Sequence, residues 1–299
     1  MPARGAHDEE ARAMSLRSLL FVPGDSERKQ AKAVDSGADA LLLDLEDSVA
    51  APQLPAARQR VRELLTARSD RKKQQLWVRV NALSSGLLLA DLTAVMPGAP
   101  DGIVLPKVST PAEVLEVSHY LAALEEGSGR GSGATQLLII ATETPRALLS
   151  LNSYAPQPRI MGLTWGAEDL SAALGVTSKT DQQGALTFTF QLARSLCVVT
   201  SAALGVQAID GVHVNFRDAT GLTREAEEAR RDGFTGKLAI HPDQVGPINA
   251  AFQPSAAEIE WARRVVSAFA GAPDAGVINL DGRMVDKPHL LQARRILDT

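Results

Sequence analysis

The run ALLLDLEDS at residues 40–48 is the most informative part of the sequence for the fold. Its first six residues are apolar except for Asp44, and such runs are typical of strands buried on both faces of a parallel sheet. Side chains alternate along a strand, so Leu41, Leu43 and Leu45 would pack against covering helices. Asp44 and Glu46 would then point inward at the carboxyl end of the strand, where Asp47 opens the next loop.

Seven further apolar runs of similar length alternate with stretches that have a helical pattern. We predict the eight strands at 18–23, 40–45, 76–81, 102–107, 137–143, 160–165, 206–214 and 237–241. Helices are predicted near 26–36, 55–67, 86–95, 111–125, 145–151, 184–204, 222–232 and 243–252. Eight successive strand–helix pairs indicate an α/β protein with a closed (β/α)8 barrel, the TIM barrel. An open doubly wound sheet is the alternative, although PGDS after the first strand lacks its usual G-x-G-x-x-G pattern.

The alternation of strands and helices ends near residue 253, which divides the chain into three parts. Residues 1–15 have no apolar segment typical of a secretory signal, and we expect a flexible leader. Residues 16–253 would form the catalytic barrel. Residues 254–299 would form a helical lid with a short turn at VINLDG. The lid is expected to be too small for its own core and to pack on the barrel or on a neighbouring subunit.

The composition of the 299 residues is that of a globular protein, with 45% hydrophobic and 22% charged residues. The formal net charge of −4 argues against a global field that binds nucleic acid or an anionic membrane. An anionic ligand would therefore need a local cluster of cations. The single cysteine, Cys197, excludes an intramolecular disulfide. No apolar run reaches the ~20 residues that span a bilayer, and we expect a reducing, cytoplasmic location.

Charged residues gather at the ends of several predicted strands, and each group has two interpretations. Arg79 would meet the acidic end of the second strand, either as a structural ion pair or as a clamp for a substrate carboxylate. The fifth strand ends at Glu143, and Glu168 and Asp169 follow the sixth. Glu143 with either of the latter two would give an oxygen-only site suited to Mg²⁺ or Mn²⁺. Alternatively, Asp169 simply caps the next helix.

The first predicted helix carries Arg28 and Lys32 four residues apart, on one face. Cations near a helix N-terminus oppose the helix dipole, which indicates either a solvated charged face or an anion site at the barrel mouth. His213 and His241 end predicted strands, where a hydrogen-bonded structural histidine is the more common role. The sequence has no H-E-x-x-H or C-x-x-C pattern, so a zinc site is not expected.

Eight blocks of sequence also follow one another in the order found in a known family. They are RSLLFVPG (17–24), LLLDLEDSV (41–49), WVRVN (77–81), VLPKV (104–108), ATETPRAL (141–148), LTWGAEDLSAALG (163–175), GKLAIHPDQ (236–244) and GRMVDKPHLLQA (282–293). From about residue 16 to its C-terminus, the chain resembles the citrate lyase β-subunit-like proteins. That group includes malyl-CoA and citramalyl-CoA lyases.

The resemblance implies roles for residues around a bound metal. Glu143 and Asp169 match the two protein ligands of Mg²⁺, and Glu143 is also expected beside the substrate. Arg79 matches the residue that holds the carboxylate of a 2-oxo acid. Glu46 and Asp47 match acidic positions near the metal and its waters, and both are expected to take part in catalysis with Arg79.

The resemblance further implies a coenzyme A site and a catalytic residue delivered from outside the barrel. Asp286 matches an acidic residue that a neighbouring subunit brings to the active site. Phe21 departs from relatives that carry tyrosine at its position. The expected coenzyme A contacts are Phe21, Arg28, Lys32 and the backbone at Ala239 and Ile240.

The activity that the resemblance implies is Mg²⁺-dependent cleavage or formation of a carbon–carbon bond in a 3-hydroxyacyl-CoA thioester. Malyl-CoA and citramalyl-CoA are examples, with acetyl-CoA and a 2-oxo acid as the fragments; glyoxylate, pyruvate and oxaloacetate all stay open. The alternatives are a citrate lyase β subunit acting on an acyl-carrier-protein thioester in a multi-subunit complex, a metal-dependent aldolase on free 2-oxo acids, and a non-enzymatic ligand-binding relative. A homo-oligomer, trimer or hexamer, is expected, without nucleic-acid or membrane partners.

Overall fold

The computed structural model describes residues 15–297, which fall into two compact units. The first unit ends at Asn249 and the second begins at Ala250, close to the boundary predicted after residue 253. The leader predicted at 1–15 lies outside the described residues except for Ser15. No helix in the described part of the chain is long and apolar enough to cross a membrane.

Eight parallel strands close into a barrel in the first unit. They are β1 (Ser18–Pro23), β2 (Ala40–Asp44), β3 (Gln75–Arg79), β4 (Gly102–Leu105), β5 (Gln136–Ile140), β6 (Ile160–Thr164), β7 (Gln207–Asp210) and β8 (Gly236–Ala239). Strand β1 pairs with β2 on one side and with β8 on the other, which closes the barrel. All eight predicted strands are present with ends shifted by a few residues, so the predicted TIM barrel is confirmed.

Helices follow each of these strands. They are α1 (Glu27–Val34), α2 (Leu54–Ala67), α3 (Leu88–Val95), α4 (Pro111–Gly127), α5 (Pro145–Ser150), α6 (Ala167–Leu174), α7 (Phe188–Leu204), α8 (Ala219–Asp232) and α9 (Val245–Phe252). The sequence analysis missed α6, the first of the two helices between β6 and β7. The available signal was Gly175, which ends α6 in the left-handed conformation with φ 66°.

Apolar side chains fill the barrel interior. Trp77 is the largest of them and needs the absence of a side chain at Gly102, where a Cβ would lie 2.2 Å from the indole ring. Asp44 lies two positions after Leu42, and Arg79 lies two positions after Trp77. Because both of those residues face the interior, strand alternation turns Asp44 and Arg79 into the barrel as well. The apolar cluster inside the barrel includes Leu19, Ala40, Leu42, Trp77, Val104, Leu138, Ile140, Ile209 and Leu238.

The second unit has a small apolar cluster of its own, so the prediction that it cannot bury a core was wrong. It comprises α10 (Ala256–Gly271), β9 (Val277–Leu280), β10 (Arg283–Asp286) and α11 (Lys287–Leu297). The two strands form an antiparallel hairpin in place of the predicted turn. The buried cluster contains Ala262, Val265, Phe269, Val285 and Ala293.

Candidate active site

Arg79, at the end of β3, forms a two-pronged ion pair with Asp44, at the end of β2. Arg79 Nε lies 2.6 Å from Asp44 Oδ1, and Nη2 lies 2.7 Å from Oδ2. Burial would raise the pKa of Asp44, but the hydrogen bonds and charge of Arg79 hold that pKa below its ordinary value. The guanidinium also lies over Phe21, 4.6 Å from the ring centroid. The structural ion pair, one of the two interpretations of Arg79, is therefore present.

Glu46 is the next acidic residue along the chain, and it is buried with only one oxygen fully paired. Its Oε1 accepts a hydrogen bond from Lys107 Nζ at 2.5 Å. Its Oε2 lies 3.1 Å from Arg79 Nη1, yet no group in residues 15–297 donates a hydrogen bond to it. Burial raises the pKa of Glu46 above its ordinary value. Asp47, by contrast, is exposed.

Lys107, in the loop after β4, joins acidic residues of two other loops, and the sequence analysis gave it no role. Its Nζ lies 3.2 Å from Asp47 Oδ1 and 3.4 Å from Asp169 Oδ1, in addition to its contact with Glu46. Burial would lower the pKa of Lys107, but these carboxylates raise it, so the ammonium stays charged. The available signal was a lysine directly after an apolar strand, in the block VLPKV.

Glu143 lies just beyond β5 and is almost fully buried, at 3% exposure. Its Oε2 accepts a hydrogen bond from the Lys107 backbone N–H at 2.5 Å. Burial, together with the charges of Asp169 and Glu46, raises the pKa of Glu143 to about 8. Gly166 makes room for this side chain, because a Cβ there would lie 2.6 Å from Glu143 Cγ. The structure therefore holds a carboxyl group that is easily protonated beside a second carboxylate.

Asp169 lies in the first turn of α6, with its side chain one-third exposed. The N-cap of this helix is Gly166, so the interpretation of Asp169 as the cap was wrong. Glu168, the other candidate, is exposed and pairs with Lys179. Of the two acidic residues considered as partners of Glu143, Asp169 is thus the one that reaches the cluster at the barrel mouth.

The donor set at the mouth of the barrel fits a hard divalent cation. Five carboxylates gather around only two cations, Arg79 and Lys107. The available ligand atoms are carboxylate oxygens, which suit Mg²⁺ or Mn²⁺. Within the described residues, no group of three or more acidic, histidine or cysteine side chains is arranged to hold a metal. Glu143 and Asp169 would therefore share the ion with water and substrate oxygens.

A groove of about 410 Å³ lies at the carboxyl end of β1, beside α1 and the loop after β8. It brings together most of the residues expected to contact coenzyme A. Ala239 is the exception, since it is fully buried in β8 and does not line the groove. His241, which stacks on Phe216 with ring centroids 4.8 Å apart, also contributes to the wall. The expected residues on the lining are Phe21, Arg28, Lys32 and Ile240.

Asp286 ends β10 in the second unit and is paired with a histidine that the sequence analysis did not consider. Asp286 Oδ1 lies 2.5 Å from His289 Nδ1. Asp286 Oδ1 also accepts the backbone N–H of His289 at 3.4 Å. The hydrogen bond from His289 holds the pKa of Asp286 below its ordinary value. These contacts keep the Asp286 carboxylate ionised at the start of α11.

The closed barrel and its acid-rich mouth define a class of TIM-barrel enzymes that work through a cation at the carboxyl ends of the strands. The family model described as HpcH/HpaI aldolase/citrate lyase matches residues 17–242. The chain therefore belongs to the HpcH/HpaI aldolase/citrate lyase family, and the resemblance stated from the sequence is confirmed.

Relatives of known name match nearly the whole chain. A (3S)-malyl-CoA thioesterase of Cereibacter sphaeroides is 35% identical, over 95% of this chain and 94% of its own. The mitochondrial citramalyl-CoA lyase of Rattus norvegicus is 35% identical, over 94% of this chain and 85% of its own. Among solved structures, CitE from Mycobacterium tuberculosis in complex with magnesium, acetoacetate and coenzyme A has a TM-score of 0.75. That protein is 33% identical, with 95% of this chain and 97% of its own covered.

Proposed function

We propose that this protein is a Mg²⁺-dependent carbon–carbon lyase that cleaves or forms a 3-hydroxyacyl-CoA thioester such as citramalyl-CoA or malyl-CoA. The observation that carries the proposal is the pairing of two features in one unit. An oxygen-rich cluster containing Glu143 and Asp169 lies at the barrel mouth, and a groove lined by Arg28 and Lys32 lies at the end of β1. The named relatives and the CitE complex with magnesium and coenzyme A support it.

The residues of the cluster would have different roles around the substrate carboxylate. Glu143 and Asp169 would hold the ion, which when bound supplies Lewis-acid polarisation of the substrate oxygens. Mn²⁺ is expected to substitute, because it accepts the same oxygen donors. Arg79 stays cationic at any working pH, since neighbouring carboxylates raise its pKa further. Its Nη1 is not used by Asp44 and would orient the carboxylate of the 2-oxo acid.

Cleavage requires that a proton leave the substrate hydroxyl and that another reach the α-carbon of the acetyl-CoA fragment. Asp286 is proposed to move the proton at the α-carbon, as general acid or base according to the direction of reaction. The carboxylate of Glu46 or Asp47 would receive the hydroxyl proton, directly or through water. Of these two, Glu46 is better suited, because burial raises its pKa.

We propose that Asp286 acts on the barrel of a neighbouring subunit within a trimer or hexamer. Two points support this. Asp286 belongs to a separate compact unit. The chain also belongs to the family that it resembles in sequence, and that resemblance implies an acidic residue supplied by a neighbouring subunit. Mixing inactive Asp286→Ala and Glu143→Ala chains under conditions that exchange subunits restores activity if the site is shared. No recovery despite proven exchange would place Asp286 on its own barrel or outside the reaction.

A cytoplasmic location stays a prediction.

The second candidate activity is hydrolysis of the thioester, because several relatives are named (3S)-malyl-CoA thioesterases. The products separate the two reactions. A lyase releases a 2-oxo acid and leaves the thioester intact in acetyl-CoA, whereas a hydrolase releases free coenzyme A and a hydroxy acid. An aldolase on free 2-oxo acids or a subunit that needs an acyl-carrier-protein thioester would leave free CoA esters untouched.

The experiment is a screen of malyl-, citramalyl- and citryl-CoA with chelator-treated protein, with and without Mg²⁺. Chromatography of the CoA species and enzymatic determination of the 2-oxo acid follow the products. We expect Mg²⁺-dependent formation of acetyl-CoA and 2-oxo acid in equal amounts. Free coenzyme A as the only new CoA species would replace the lyase proposal by the thioesterase, and no turnover of any ester would exclude both.

A further inference from the structure

The side chain of Lys107 lies where the negative charge of the barrel mouth is concentrated. Its ammonium contacts the carboxylates of Glu46, Asp47 and Asp169 at 2.5, 3.2 and 3.4 Å. These carboxylates come from two different loops, one after β2 and one at the start of α6. A single cation therefore joins two edges of the site, and one of its partners is a proposed metal ligand.

The backbone of the same residue holds the other proposed ligand. The N–H of Lys107 donates a hydrogen bond to Glu143 Oε2 at 2.5 Å. Lys107 adopts φ 53°, which places a non-glycine residue in the left-handed region. That conformation is disfavoured for side chains with a Cβ, and such strain is concentrated at functional sites. Here it lets one residue direct its amide to Glu143 while its side chain reaches Asp169.

Two cations that approach the same carboxylates compete for the negative charge of those carboxylates. The ammonium of Lys107 neutralises part of the cluster on which a divalent ion would depend, and its side chain is only 29% exposed, so solvent screens the effect weakly. The charge of Lys107 thus opposes the binding of a second cation. At the same time, the backbone of Lys107 fixes Glu143 for that cation.

We propose that Lys107 is the internal counter-cation of the metal site: its ammonium competes with the divalent ion for Asp169 and its neighbours, while its backbone amide positions Glu143. The inference rests on the proposed function. Lys107 is a positioning residue that keeps the metal-free cluster together and sets a weak affinity for the metal alone. A bound substrate supplies further oxygen ligands to the ion, so metal and substrate bind more tightly together than separately.

The test is the affinity of the full-length, chelator-treated protein for Mg²⁺ alone, measured by calorimetry at low ionic strength. The charge-removing variant is Lys107→Met, and Lys107→Asn is a second neutral variant because asparagine tolerates the left-handed backbone. Lys107→Arg keeps the charge. Lys179→Met is the matched control, since it removes a lysine that pairs with exposed Glu168 in the neighbouring loop.

We expect both neutral variants to bind Mg²⁺ at least about tenfold more tightly than the wild type, whereas the arginine variant and the control stay within about threefold. We also expect the metal-free neutral variants to melt at a lower temperature, and Mg²⁺ to remove most of that difference. Unchanged or weaker Mg²⁺ binding by a folded neutral variant overturns the inference alone. A wild type without any Mg²⁺ binding overturns the proposed function and the inference with it.

Discussion

Two lysine-centred clusters of charge in the first unit differ in almost every property that matters for function. Lys107 lies at the carboxyl ends of the strands, partly exposed, among more carboxylates than it can neutralise. Lys237, on β8, is fully buried between the barrel wall and the helices. Its Nζ lies 2.8 Å from Asp210 Oδ2 and 2.7 Å from Glu225 Oε1.

The cluster around Lys237 is complete in itself. The other oxygen of Asp210 accepts hydrogen bonds from Trp165 Nε1 at 2.7 Å and from Arg194 Nε at 3.0 Å. Burial would raise the pKa of Asp210, but Lys237 and Arg194 hold it below its ordinary value. The carboxylates of Asp210 and Glu225 are matched by the cations of Lys237 and Arg194, and the cluster ties β7 and β8 to the helix layer.

The comparison teaches that burial of charge alone does not mark a functional site. Both clusters contain a lysine with carboxylate partners, and both shift the pKa values of their members. Only the cluster at the mouth combines excess negative charge, a carboxylate oxygen without a donor in the described part of the chain, and a residue in a strained conformation. Those three features together indicate a ligand.

The largest expected effect is on catalysis at the mouth cluster. Glu143→Gln and Asp169→Asn should each lower kcat for the CoA thioester by about a hundredfold to a thousandfold, because each removes one of two protein ligands to the ion. The melting temperature should change little, since neither change leaves an unpaired buried charge. Steady-state kinetics and calorimetry measure the two quantities. Glu168→Gln is the control. An equal loss of activity in this variant would show that Asp169 has no specific role in holding the ion.

The buried cluster should give the opposite result. Lys237→Met is expected to lower the free energy of unfolding by about 3–5 kcal/mol, because Asp210 and Glu225 lose their shared buried partner. The activity of the protein that remains folded should stay close to that of the wild type. Denaturant titration measures the stability, and kinetics at a temperature well below the transition measure the activity. A stable but inactive variant would contradict the division between the two clusters.

Glu143 gives the mouth cluster a pH dependence. Its pKa is raised from an ordinary 4.5 to about 8, so the folded metal-free protein binds this proton more tightly than the unfolded chain does. Stability is therefore greatest at low pH for this group and is lost as the pH rises from about 4.5 to 8. We expect the melting temperature of chelator-treated protein to fall across this window, more steeply than that of Glu143→Gln.

The same proton competes with the metal, because only the carboxylate binds the ion. Affinity for Mg²⁺ should consequently rise with pH until about 8 and then level off. Titrations at several pH values test this directly. Equal pH profiles for the wild type and Glu143→Gln in both measurements would show that another group titrates.

The smallest expected effects concern the groove beside α1. Arg28→Ala and Lys32→Ala should each weaken coenzyme A binding by about fivefold at low salt and by less at high salt, as expected for exposed cations that hold phosphates. Lys72→Ala, which removes an exposed lysine elsewhere, is the control. A coenzyme A affinity that is independent of salt and unchanged in the double variant would move the site away from the groove.

The sequence predicted the barrel well because its strands are apolar on both faces and end in charged residues, as the run through Leu42 and Asp44 shows. It also predicted that Asp44, Glu46 and Arg79 would meet, since strand alternation directs all three inward. It failed to identify Lys107 and His289. Their positions depend on a left-handed backbone in one case and on a helix N-terminus in the other, and neither leaves a periodic pattern in the chain.

Binding of Mn²⁺ to chelator-treated protein, followed by electron paramagnetic resonance of the free ion, tests the difference between the two clusters most directly. The structure predicts one ion per chain in the wild type and in folded Lys237→Met, with binding lost or greatly weakened in Glu143→Gln and Asp169→Asn. Binding of one ion with wild-type affinity to both of these mouth variants would contradict the central claim that the barrel mouth is the metal-dependent active site.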